Sequence, residues 1–187
     1  MSYKYGTEEW EKAYQELVKE RLEKFEKPYL MGTPEWVATY EKLIQEDGEY
    51  KEAAKQWEGT VVIHILANPE LGLDEDSYMM MDLWHGDCRS VRLVPKDVGG
   101  NADYVLSGEL ERWEAVMAKE LDTTKAMMQG KIKLKGDLPT IVRYVKASVR
   151  LTDISTMIGT KFISELTDQE REEFRAWMKD IRAQFGI

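Results

Sequence analysis

The chain has 187 residues, of which 43% are hydrophobic and 33% charged, and its formal net charge is −9. That length and hydrophobic content suit one globular domain with a sizeable core and exclude a disordered tail. The acidity, with no run of lysine or arginine interleaved with aromatics, argues against a nucleic-acid partner, and no apolar run approaches the length of a membrane helix.

In chain order, Thr7 is placed to cap a first helix, with Glu8 and Glu9 in its opening turn and Trp10, Tyr14, Leu17, Leu22 and Phe25 on one face. Pro28 ends it. Thr33 and Pro34 start a second helix with the apolar stripe Trp36, Val37, Tyr40, Leu43 and Ile44, and Asp47-Gly48 interrupts or ends it. Residues 60–67 are short and β-branched, which reads as a first strand. Two further strands, 78–84 and 89–94, flank His85-Gly86-Asp87, a hairpin turn. Gly99-Gly100-Asn101 reads as another turn before a fourth strand at 102–107, so the four are expected as a meander. A helix follows with Leu110, Trp113, Val116, Met117 and Leu121 on one side.

Asp122 caps a short helix through Met128 that stops at Gly130, and Lys131-Ile132-Lys133-Leu134-Lys135 alternates as a strand with one wet face. Asp137 and Pro139 open a helix in which Ile141, Tyr144, Val145, Ser148 and Val149 share a side. Thr167 and Glu170 form a capping box for a last helix carrying Phe174, Trp177, Met178, Ile181 and Phe185. This order argues for an α+β domain with helices over one face of a sheet.

The segment Asp122 to Asp137 resembles the signature of the sterol carrier protein type two family: an aspartate-led apolar turn, then Gly130-Lys131, the alternating strand with Ile132 and Leu134, and Gly136-Asp137. The element order over residues 36–162 fits as well. The resemblance implies a five-stranded, mainly antiparallel sheet covered by helices, and an apolar tunnel for sterols, fatty acids, acyl thioesters or other lipids. It implies no catalytic residue set and no cofactor. The expected organisation is an amphipathic extension at 1–32, a lipid-binding domain at 33–163 and a C-terminal helix at 164–187.

Soft, large side chains abound on elements expected to face one another: Met79, Met80, Met81, Trp84, Trp113, Met117, Met127, Met128, Tyr144 and Met157. Methionine repacks around ligands of differing shape, although the same stripe packs a dry core equally well. Strand parity separates Met79, Met81 and Leu83, the cleaner apolar side, from Tyr78, Met80, Asp82 and Trp84. The expected ligand-binding set is therefore Met79, Met81, Leu83, Trp113, Val116, Met117, Met127, Met128, Ile141, Tyr144, Val145 and Ser148. Tyr144, Ser148 and Arg143 or Arg150 are candidates to meet a polar head.

His64 stands in a strand, and His85 and Cys88 are close along the chain, but adjacency on a hairpin makes neither a metal site nor a nucleophile. Gly99-Gly100 lacks the context of a phosphate loop. The N-terminus lacks the apolar core of a signal peptide, and a single cysteine suits a reducing compartment, so the cytoplasm is the expected location. The ending Gln184-Phe185-Gly186-Ile187 differs from a peroxisomal targeting tripeptide. Two functions fit: carriage of an apolar ligand without catalysis, or an accessory subunit whose terminal helices, with Trp10, Tyr14, Trp177 and Phe185, form a homodimer or dock on a partner enzyme.

Overall fold

A computed structural model describes residues 2–187. The chain opens with α1 (Glu8–Lys24), capped by Thr7, whose hydroxyl accepts from the Trp10 amide. After β1 (Tyr29–Leu30) comes α2 (Pro34–Gln45), then α3 (Gly48–Ala53), for which Asp47 is the cap. The strands β2 (Glu58–Ile65), β3 (Ser77–Trp84) and β4 (Asp87–Leu93) follow, then the short α4 (Lys96–Gly100) and β5 (Tyr104–Gly108). The remainder runs α5 (Leu110–Met117), α6 (Thr123–Met128), β6 (Lys133–Lys135), α7 (Leu138–Arg143), α8 (Val145–Ser155), β7 (Thr160–Lys161) and α9 (Asp168–Phe185).

The main sheet has five strands in the order β4-β3-β2-β5-β6, antiparallel except for the β2–β5 pair. This corrects the expected meander. The hairpin is real, with His85 and Gly86 both at positive φ as a tight primed turn requires. After β4, however, the chain crosses the back of the sheet and returns beside β2, because a parallel pair needs a crossover. Gly99-Gly100 is therefore no turn: it lies in α4, pressed on β3, where a Cβ at Gly99 would stand 2.7 Å from the Tyr78 ring. The back face carries its own small core of Val62, Tyr78, Val94, Ala102 and Val105.

The helix expected through residues 139–150 is also corrected, since it breaks at Tyr144 (φ −102°, ψ 28°) into α7 and α8. The break turns the Tyr144 ring inward, edge-on to Trp57 at 5.0 Å between centroids. Leu22 and Phe25 do not join the buried stripe of α1, being 42% and 37% exposed.

Both terminal helices belong to the main core. The Trp10 indole donates to the Phe185 carbonyl (3.1 Å), and Trp10, Tyr14 and Phe185 are buried against one another. The Tyr14 hydroxyl accepts from the Leu93 amide, Glu41 accepts from the Val91 amide, and Gln45 donates to the Cys88 carbonyl. Side chains of α1 and α2 thus satisfy the open edge of β4, which would otherwise template pairing with another chain. Because Trp10, Tyr14 and Phe185 are consumed inside the fold, they are not available as the docking face expected of the terminal helices.

Arg21 joins three helices. Its guanidinium forms a bidentate pair with Glu35 of α2 (2.8 and 2.9 Å) and lies 4.0 Å over the Trp177 ring of α9. Glu35 is 1% exposed, so Arg21→Met would strand a buried carboxylate; the expected loss is about 3 kcal/mol of unfolding free energy in urea titrations.

Candidate functional site

One face of the sheet is apolar by strand parity. Val61, Ile63 and Ile65 of β2 stand opposite Met81, Met79 and Ser77 of β3, while Ile63 also faces Leu106 of β5. With Leu83 and Leu93 these residues floor a cavity of about 140 Å3. Its roof comes from Trp36 and Tyr40 of α2, Tyr50 of α3, Trp113, Val116 and Met117 of α5, and Met127 of α6, and is closed by Ile141, Tyr144, Ala147, Ser148 and Leu151 on α7, α8 and their junction. No lysine, arginine, aspartate, glutamate or histidine is among the lining residues.

Most polar groups around the cavity are already satisfied by the protein. The indoles of Trp36, Trp57 and Trp113 donate to the Thr160 hydroxyl, the Gly59 carbonyl and the His64 carbonyl, and Tyr40 donates to the Leu151 carbonyl. These bonds hold large aromatic walls in place at no cost in unsatisfied donors. Tyr50 differs: it is 1% exposed and lines the cavity, and burial raises the pKa of its phenol. It is a neutral phenol in the wall of an apolar chamber.

Ten of the twelve expected residues line the cavity: Met79, Met81, Leu83, Trp113, Val116, Met117, Met127, Ile141, Tyr144 and Ser148. Met128 and Val145 do not. Met128 is 72% exposed because α6 turns its neighbour Met127 inward, and Val145 is 37% exposed because α8 starts afresh after the break at Tyr144. Of the wider set, Trp84 (40%) and Met157 (52%) are exposed, and Met80 falls on the back face with Val62 and Tyr78. Arg143 donates to Thr140 outside the cavity.

Arg150 is a clamp rather than a head-group contact. It makes a bidentate pair with Asp47 (2.6 and 2.9 Å), the carboxylate that caps α3. One aspartate thereby fixes the start of α3 and the middle of α8 across the cavity roof. The Arg150 hydrogen bond, chiefly, holds the Asp47 carboxyl below its ordinary value of 3.8.

The residues missed by sequence reasoning include Tyr50 and the strand positions Val61, Ile63, Ile65 and Leu106. The period-two pattern of β2 carried the signal for the first three strand positions, but which side faces the helices depends on pairing with β3. Tyr50 gave no signal, since a tyrosine on a short helix is ordinary.

Other reactive groups lie away from the cavity or are quenched. Burial pushes the Cys88 thiol up to about 12, with Glu41 and Asp82 adding to the shift, while His85 bonds Glu58 on the exposed turn (2.7 Å). On the back face, His64 is held between Ser107 (2.8 Å) and Asp76 (2.8 Å) and stacked on Tyr78. This array fastens β2 to β5 and to the loop before β3. Among the described residues, no group of three or more His, Cys, Asp or Glu is arranged to hold a metal, and no helix is long and apolar enough to cross a membrane.

A mainly antiparallel sheet roofed by helices over an uncharged cavity defines an α+β protein of the apolar-pocket class. The chain belongs to the SCP-2 sterol transfer family, whose model matches residues 40–147. A crystal structure of sterol carrier protein 2 is 29% identical with a TM-score of 0.60, covering 65% of this chain and 94% of that one. The solution structure of a conserved hypothetical protein from Thermus thermophilus, described as a candidate sterol carrier protein, is 27% identical with a TM-score of 0.64, covering 73% of this chain and 94% of that one. No curated protein matches the chain significantly.

Two outcomes test this geometry. Alkylation of Cys88 by iodoacetamide at pH 8 should be at least about 100-fold slower in the native protein than in urea, because the buried group stays a thiol. Since the folded pKa of Asp47 lies below its unfolded value, the clamp's contribution is complete above pH 3.8 and is lost as pH falls through the folded value. Asp47→Asn should remove that part of the acid dependence of thermal stability.

Proposed function

We propose that the chain binds an uncharged lipid bearing a hydroxyl or carbonyl group, such as a sterol or an acyl ester, and has no catalysis of its own. The observation that carries this reading is the cavity lining, which is apolar, soft and free of charge. Transfer of apolar ligand surface from water supplies the affinity. An ionised fatty acid fits poorly in the interior, because a carboxylate without a partner costs several kcal/mol to bury.

The cavity is smaller than the ~300–1,000 Å3 common for small-molecule sites. A sterol-sized ligand therefore needs the roof to shift, and Met79, Met81, Met117 and Met127 are the side chains that repack at least cost. Tyr50 supplies a hydrogen bond that selects a neutral polar head, and Tyr144 and Ser148 offer further hydroxyls nearer the α7–α8 junction. A buried hydroxyl bonded to a ligand acts more as a selector than as an anchor, since it is costly to leave unmatched.

Organic extraction and native mass spectrometry of freshly purified protein should recover a neutral lipid, and fluorescent sterol or acyl-ester probes should bind in solution. Failure of all such probes, with no extracted lipid, would sink this reading. Tyr50→Phe is expected to weaken a hydroxyl- or carbonyl-bearing ligand about tenfold while leaving a plain hydrocarbon probe unchanged.

A further inference from the structure

The cavity has two unlike ends. At one, the Tyr144 ring stands edge-on to Trp57, whose indole donates to the carbonyl of Gly59, the cross-strand partner of Leu83. Tyr50 belongs to this end as well, because its helix α3 packs through the Lys51 backbone on Gly86 of the β3–β4 turn. From Leu83 back to Ser77 the floor runs about 20 Å, at roughly 3.3 Å per residue along β3.

The far end is reached along α2. Glu41 and Gln45 bond the backbone of Val91 and Cys88, so the start of the helix, with Trp36, lies toward Leu93, the partner of Met79. Helix α8 runs back against α2, from Arg150 beside Asp47 to Leu151, whose carbonyl accepts from Tyr40, and so carries Thr152 and Ser155 to the same end. Across it lies the segment 29–33. Met31 of this segment lines the cavity and is 3% exposed. Its backbone is fixed on both sides: the Tyr29 and Met31 amides donate to the Gly159 and Lys161 carbonyls (2.9 and 3.0 Å), and the buried Thr33 hydroxyl donates to the Leu30 carbonyl (2.7 Å). Beside it Gly32 also lines the cavity, is partly exposed, and would place a Cβ with no atom within 4 Å. Met31 is thus the side chain that stands between the chamber and the surface here. Met31, Gly32, Trp36, Thr152 and Ser155 all fall outside residues 40–147, the region that the family model matches.

We infer that Met31 determines how long an apolar tail the cavity accepts, with the ligand's polar head held at the Tyr50–Tyr144 end. This rests on the ligand reading above. The donors at the Met31 end are already engaged: Ser155 donates to the Thr152 carbonyl (2.6 Å), Thr152 to the Ser148 carbonyl (3.3 Å) and Trp36 to the Thr160 hydroxyl (2.8 Å). A polar head finds no free donor among these three groups, whereas a tail finds the Met31 thioether and an indole face. Each methylene taken out of water tightens binding about fourfold until the tail meets Met31.

The test is competition of straight-chain primary alcohols of increasing length against a fluorescent lipid probe, on the full chain. In the wild type, affinity should rise about fourfold per methylene and then level off. Met31→Ala should extend the rise by about two methylenes, a gain of about 16-fold for the longer alcohols, and Met31→Phe should end it about one methylene earlier. Met117→Ala, on a side wall of the same chamber, should leave the levelling point in place. Tyr50→Phe should weaken every alcohol about tenfold without moving that point. Thermal unfolding shows whether each variant is folded, and either folded Met31 variant decides the matter by the direction of its shift. A levelling point that stays put in a folded Met31 variant, that moves as far in Met117→Ala, or that moves in Tyr50→Phe would overturn the proposal. Alcohols that bind with one levelling point in all variants defeat this inference alone, whereas a wild type that binds no alcohol defeats the ligand reading and this inference with it.

Discussion

The whole arrangement depends on the register of β2 between β3 and β5. Ile63 meets Met79 on one side and Leu106 on the other, which aligns an unbroken apolar floor. Because strand side chains alternate, a slip of one residue would bring His64 and Val62 to the helices and turn the apolar row to the back. The back face secures the same register by different chemistry: His64 bonds Ser107, its direct partner on β5, and Asp76 just before β3. Apolar packing in front and a hydrogen-bonded clamp behind agree on one pairing.

The helices over that floor are anchored at their margins and soft in the middle. Arg21 ties α1, α2 and α9 together, and Asp47 ties α3 to α8 through Arg150. Between these anchors the cavity walls are methionines and hydrogen-bonded aromatics, without a charged group that would pin a particular shape. The ion pairs that hold the frame do not line the chamber. The terminal helices contribute to the frame: Tyr14 covers the edge of β4, and Trp10 closes on Phe185.

Much of this was legible locally. The caps at Thr7, Asp122 and Thr167, the hairpin at His85-Gly86, and the inward parity of Met79, Met81 and Leu83 all follow from interactions within a few residues. The departures from local expectation share a cause. Gly99-Gly100 looked like a turn because a glycine pair permits one, but its use is close approach to Tyr78, a contact made by a crossing of the sheet. Tyr144 looked like the middle of one helix because its spacing fits, but its ring is drawn to Trp57, far away in sequence. Arg150 is by its local position one candidate to meet a polar head, but Asp47, distant in the chain, engages it.

Most of the longer helices and strands, the caps at Thr7, Asp122 and Thr167, the alternation along β3 and, through the segment from Asp122 to Asp137, the family resemblance are readable from the amino-acid sequence alone. Short-range sterics and hydrogen bonds set the elements and their caps, so these are written in neighbouring residues. The parallel β2–β5 pairing, the break at Tyr144, the burial of the terminal aromatics and the meeting of Tyr50 with the cavity emerge only in the folded chain. Each of those is a contact between residues distant in the chain, and its free energy depends on what else is packed there.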